Sequence, residues 1–193
     1  MSGPPGTESA PRRELPWRWG EFGASGLPDR LADHVGPVVS RAVTVRAEPA
    51  VVFRWLCQLR VAPYSYDLVD NWGRRSPQTL TPGLESLAAG QRFATIFTLV
   101  DWVPDELVAL EITEPAGIRL FGRLPLVYQT VPLRGGPEAR TTLRGDIALP
   151  RPGSPWTRAR STALAWGDLE MMRRQLLTLA RLSEESARSR RSS

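Results

Sequence analysis

The stretch YSYDLVDNWG, Tyr64–Gly73, gathers two tyrosines, two aspartates, an asparagine and a tryptophan just after an apolar, helix-like run. As a short helix it places Tyr64, Asp67 and Asn71 on one face by i, i+3/i+4 spacing, with Tyr66 and Asp70 on another. Such a lid can turn aromatic and polar groups into a cavity with one face and cover the domain with the other. A few polar groups in an apolar pocket are what orient a small molecule. The plainer alternative is that Asp67 and Asn71 cap backbone groups while the tyrosines pack. Asp67 and Asp70 are close enough to share a proton, but a solvated or arginine-paired state is the expectation for them.

Further pocket candidates come from strand-like and helical runs. Phe97, Trp102, Tyr128 and Arg144 are inward or rim candidates. Arg144 lies out of phase with Leu143 and Ile147, which favours surface exposure over service as a carboxylate anchor. Met172, beside Met171, sits on the helix a ligand would touch; a methionine in a helix stripe is equally a core residue.

Catalytic constellations are sparse. His34 is the sole histidine and sits in the arm before the first expected strand, where a surface position is expected. Cys57, the only cysteine, lies on an apolar helix without a histidine nearby in sequence, so an inert buried thiol is expected. No zinc-ligand spacing, P-loop, G-x-G-x-x-G or G-x-S-x-G occurs, and neither a metal nor a cofactor is expected. The chain contains no lysine, which excludes Schiff-base catalysis; its arginines stay protonated and can anchor anions but not act as bases.

Composition bounds the rest. The 193 residues are one domain's length, and 41% are hydrophobic. The formal charge of +5 is concentrated in the C-terminal SARSRRSS, so the body carries little of it and nucleic acid is not an expected partner. No run approaches the ~18 apolar residues of a membrane span, and the N-terminus lacks an apolar signal region. One cysteine and no visible leader suggest a cytoplasmic protein, monomeric or a weak homodimer.

These residues need elements to position them. Residues 1–14, rich in Pro, Gly, Ser and Thr, are expected to be a disordered tail. Residues 15–37, with aromatics among glycines and prolines, read as an arm packed on the domain, which spans 38–185; 186–193 form a basic disordered tail. Val39, Val43 and Val45 share one strand phase against Ser40, Thr44 and Arg46. EPAVVFRWLCQLR begins a helix at Pro49 with Val52, Leu56 and Leu59 on one face. Strands follow at 92–103, apolar on both phases and so covered on both sides or lining a cavity. Others follow at 106–113, 117–123, 124–134 (prolines pushing it toward an edge or a bulge) and 139–150. Ser154-Pro155 opens one long helix to about Ser186, with Ala165, Leu169, Met172, Leu176, Leu179 and Ala180 as its apolar stripe and Asp168 off it.

That order and four motifs, AEPAVVFRWLCQLR, PYSYDLVDNWG, LAAGQRF and WGDLEMMRRQLLTLARL, resemble the SRPBCC superfamily, the helix-grip fold shared by START domains and polyketide cyclases. The arm PWRWGEFGASGLPDRL is similar to the lead-in of an uncharacterised bacterial subgroup. The resemblance covers residues 15–185. Pro63 stands where such proteins tend to carry an aromatic, and Gln91 where an acid follows the glycine. It implies an α+β fold in which a curved antiparallel sheet grips a long C-terminal helix, with two short helices after the first strand. It also implies a cavity for a small, largely hydrophobic ligand such as a lipid, polyketide-like or aromatic metabolite. A cyclase, aromatase or dehydrase-type enzyme is the alternative, and a protein-binding module a second one.

Overall fold

The computed structural model of the chain describes residues 15–191, apart from 24, 35, 66–74, 95 and 137. Among these, the strands are β1 (Arg18–Gly20), β2 (Val38–Val45), β3 (Arg92–Phe93), β4 (Phe97–Val103), β5 (Leu107–Glu111), β6 (Leu126–Leu133) and β7 (Arg140–Ala148). They form a seven-stranded sheet in the order β1-β2-β7-β6-β5-β4-β3. Every neighbouring pair is antiparallel except β1 beside β2. The helices are α1 (Pro49–Cys57), extended by a 3-10 turn at Gln58–Arg60, α2 (Pro115–Phe121) and α3 (Pro155–Arg191). The curved sheet closes around α3. This is the α+β helix-grip architecture that the resemblance implies.

Local chemistry explains the long elements. Pro49 opens α1 at a position whose N–H has no helical acceptor anyway. From Val51 to Cys57 every residue is buried except the half-buried Arg54. α3 starts with a reciprocal cap. The Thr157 amide donates to Ser154 Oγ at 3.3 Å and the Ser154 amide to Thr157 Oγ1 at 2.9 Å. The helix continues to Arg191, so residues 186–191, expected as a disordered tail, extend it instead. Its principal sheet contacts are with β2 and β7, and α1 packs alongside it.

Three strand expectations need correction. Residues 117–123 are not a strand: Pro115 at the first helical position and Gly122, at φ 86° just past the end, bracket α2. A short apolar run such as GIRLF fits either period, and here the proline–glycine bracket decides. The 124–134 strand is not an edge, since β6 lies between β5 and β7. Its Pro132 costs no ladder bond. The Thr130 amide points to Glu106 on the β5 side, Pro132 shares that direction, and β5 pairs only as far as Gln129. Finally, 92–103 is broken at Ala94 (φ 40°), and β4 carries a bulge between Leu99 and Asp101. Ile96, Val100 and Val103 end up exposed, so the strand is not covered on both sides.

The arm 15–37 completes the sheet edge and caps its outer face. β1 pairs with Ser40–Ala42, and Gly20 (φ 110°) lies so close to the Ala42 carbonyl that a side chain there would overlap it. Phe22 is buried on the arm. His34, expected at the surface, is half-buried and bonds the Leu149 carbonyl at 2.7 Å, tying the arm to the end of β7.

Candidate functional site

Directly opposed residues in a sheet share a face. The registers give one row across the inner face: Trp102, Val108, Tyr128, Gly145, Arg41 and Trp19. Sequence phase had separated Trp102 from Phe97 and Leu99, but the bulge in β4 inserts one residue and returns Trp102 to their side. Phe97 and Trp102 are half-buried against the inner core, whereas Leu99 is fully enclosed.

The long helix lowers its own row onto this face. Ala165, Asp168, Met172 and Gln175 succeed one another at helical spacing, and Ala165, Met172 and Gln175 are buried. Gly145 exists for this contact: a Cβ there would stand 2.8 Å from Met172 Sδ and 3.2 Å from the Tyr128 ring. Tyr128 donates a short hydrogen bond from its hydroxyl to Gln175 Oε1, and Gln175 Nε2 donates to the Pro63 carbonyl at 2.6 Å. Burial, and secondarily the charge of Asp168, hold the Tyr128 phenol above its usual range, so it remains a donor.

Pro63 is the residue before the YSYDLVDNWG stretch, so this chain of bonds anchors the backbone just ahead of Tyr64. Tyr64 is 1% exposed and meets Trp55 edge-on at 6.1 Å. Its φ of 55° is uncommon for a bulky residue. Tyr66, Asp67 and Asn71, the other residues proposed from this stretch, lie outside the described residues.

Beside Tyr128 the row continues to Arg41, which is fully buried. Its Nη1 donates to the carbonyls of Ser40 (2.9 Å) and Trp17 (3.1 Å), and its Nη2 to those of Pro16 (2.6 Å) and Ala165 (3.0 Å). Asp168 Oδ2 lies 3.2 Å from Nη2, an ionic contact without hydrogen-bond alignment. Burial draws the Arg41 guanidinium below its ordinary value, opposed by Asp168 and Asp146. Burial raises Asp168 to about 7, with Arg41 pulling the other way. The inner face therefore holds a carboxyl group able to take or give a proton near neutrality.

Arg144 belongs elsewhere. It projects from the outer face, where its Nε and Nη2 grip Asp146 at 2.6 and 2.8 Å and its Nη1 donates to the carbonyls of Ser25 (2.8 Å) and Gly26 (2.7 Å). Ser40 Oγ donates to the same Asp146 at 2.5 Å, and the Arg144 guanidinium lies 5.0 Å from the centre of the Phe22 ring. The face was legible from its phase, but surface exposure was wrong: the side chain is 2% exposed because the arm covers it. Arg144 clamps the arm and takes no part in the interior. Cys57 is buried, and burial pushes its thiol up to about 12, as befits an inert side chain.

The structure thus unites Tyr64, Tyr128 and Met172, with Phe97 and Trp102 farther along the same face. Sequence reasoning missed Arg41, Asp168 and Gln175. A signal was present: Arg41 shares the phase of Val39, Val43 and Val45, and an arginine among inward valines calls for a buried partner. Asp168 and Gln175 flank Met172 at spacings of four and three, and so lie beside the stripe rather than off it.

No protein-family model and no curated protein matches the chain. Solved structures do. A Thermobifida fusca protein is similar at 17% identity with a TM-score of 0.48, covering 75% of this chain and 94% of that one. A member of the major latex protein family from Arabidopsis thaliana is similar at 12% identity with a TM-score of 0.31, covering 69% of this chain and 90% of that one. The di-domain ARO/CYC StfQ from the steffimycin biosynthetic pathway is similar at 15% identity with a TM-score of 0.41 over 81% of this chain and 52% of that one.

Proposed function

We propose that the protein binds a small, largely hydrophobic molecule, of lipid, polyketide-like or aromatic character, against the inner face of β4–β6. One observation carries this reading. Phe97 and Trp102 keep partly exposed rings on the inner face of β4, whereas α3 makes its principal sheet contacts at β2 and β7. Half-buried rings on β4, in the row that leads to the Tyr128–Gln175 pair, suit an oily ligand with one polar group. Tyr64, Tyr66, Asp67 and Asn71 would then line the rim above it. Titration with the fluorescent apolar probe 8-anilinonaphthalene sulfonate tests the proposal. Saturable one-site binding, weakened at least tenfold by Trp102→Ala and less by Tyr128→Phe, is the expected result. An unsaturable or mutation-blind signal would sink it.

A second reading, a cyclase- or dehydrase-type enzyme, is favoured by Asp168, whose carboxyl sits near neutrality. Arg41 is committed to four carbonyls and serves to hold Asp168 and the arm rather than an enolate. Asp168 would be the acid–base group. Turnover on a polyketide-like substrate that survives Asp168→Asn rules this mechanism out.

A further inference from the structure

The outer face of α3 has a composition that its packing does not require. Trp156 is 81% exposed, Trp166 51%, Leu177 46% and Met171 44%. At 3.6 residues per turn, Trp156, Ala163, Trp166, Arg174, Leu177 and Arg181 fall within an arc of roughly 80°. Exposed Arg160 and Arg173 border that arc on either side. Of the acids between 155 and 181, Asp168 faces Arg41, and Glu170 is left on the outward arc. Arg181 is paired with Glu185 at 2.9 Å and bonds Gln78 Oε1, so the cationic character of the face rests on Arg160, Arg173 and Arg174 beside the tryptophans.

Single exposed hydrophobes are ordinary on a protein surface. Two tryptophans ten residues apart on one helix lie about 15 Å apart along its axis and about 80° apart around it, at the two edges of one outward arc. Indoles partition to the boundary between lipid headgroups and acyl chains. Guanidinium groups match phosphate with paired donors. A helix with both, lying flat, has the character of a surface-bound amphipathic helix, and no helix of the described residues is long and apolar enough to cross a bilayer.

We infer that the outward face of α3 docks on an anionic phospholipid bilayer, with Trp156 and Trp166 in the headgroup layer and Arg160, Arg173 and Arg174 against lipid phosphates. The aromatic residues favour this partner over a nucleic-acid duplex, whose phosphate backbone offers an indole no apolar layer. The inference is independent of any ligand held on the inner face.

Vesicle flotation tests it, using the full chain with phosphatidylcholine vesicles and with phosphatidylcholine–phosphatidylserine vesicles in a roughly 3:1 ratio. The protein should float with the anionic vesicles, stay behind with the neutral ones, and release as salt is raised. Arg173→Ala/Arg174→Ala should weaken partition roughly thirtyfold, from two lost cations at a charged surface. Trp156→Ala/Trp166→Ala should weaken it at least roughly tenfold, with a thermal melt like that of the parent. Trp156→Ala alone, with little packing to lose, keeps the test decisive if the double variant unfolds. No flotation with anionic vesicles, or flotation indifferent to the tryptophans, overturns the inference. So does a preference for duplex DNA at matched salt, or a dimer in light scattering that the Trp156→Ala change dissolves.

Discussion

Replacing Asp168 by asparagine inverts the usual expectation for a buried ion pair. Asp168 rises from the ordinary 3.8 to about 7 in the folded chain because burial outweighs the attraction of Arg41. Below about pH 4 the carboxyl is protonated folded and unfolded alike, and contributes no pH dependence. Between about 4 and 7 the unfolded chain releases this proton while the folded chain keeps it. The unfolded state then binds fewer protons, so stability falls as pH rises. The slope approaches 1.36 kcal/mol per pH unit, and over a gap of about three units the ceiling is about 4 kcal/mol. Above about 7 both states are ionised and the loss is constant. The asparagine side chain, nearly isosteric with the protonated acid, has no such penalty. Urea unfolding of parent and variant from pH 4 to 8 should therefore show Asp168→Asn close to the parent at pH 4 and gaining on it with each unit toward pH 7. The opposite trend, a variant that loses ground as pH rises, would show that the Arg41–Asp168 attraction exceeds desolvation and would refute the reasoning.

Other expectations follow from the same contacts. Gly145→Ala should destabilise by about 1–3 kcal/mol, because its Cβ would meet Met172 Sδ at 2.8 Å; Met172→Ala in the same chain should recover part of that loss in denaturant melts. Gln175→Leu strands the Tyr128 hydroxyl and the Pro63 carbonyl, and should cost about 1–3 kcal/mol for each unpaired group. Adding Tyr128→Phe should remove one of those penalties, and a double-mutant cycle without coupling would contradict the bond chain. Cys57 should resist iodoacetamide in the folded chain at pH 8 and react once unfolded; rapid labelling of the native protein would disprove its burial.

The long periods were readable and the short ones were not. The alternation Val39–Val43–Val45 and the stripe from Ala165 to Ala180 each repeat often enough to name an element and its inward face. GIRLF does not, and the helix it forms is set by Pro115 and Gly122 at its ends. Trp102 changed face through one inserted residue in β4, which no alternation pattern encodes. Arg41 was visible as an arginine in an apolar phase, but its hydrogen bonds go to the backbone carbonyls of Pro16, Trp17, Ser40 and Ala165, and carbonyls have no sequence signature. Arg144 was assigned its face correctly and its burial wrongly, because the arm that covers it lies 118 residues away in sequence.

The chain's three methionines offer the sharpest test of an occupied inner face. Methyl-labelled methionine NMR, followed during titration with 8-anilinonaphthalene sulfonate, reports Met172 beneath Gly145 and Met171 on the outward side of the same helix. The account predicts a saturable shift of the Met172 methyl that Trp102→Ala weakens, while Met171 stays put. A Met172 signal unmoved at probe saturation, or Met171 moving in its place, would contradict it.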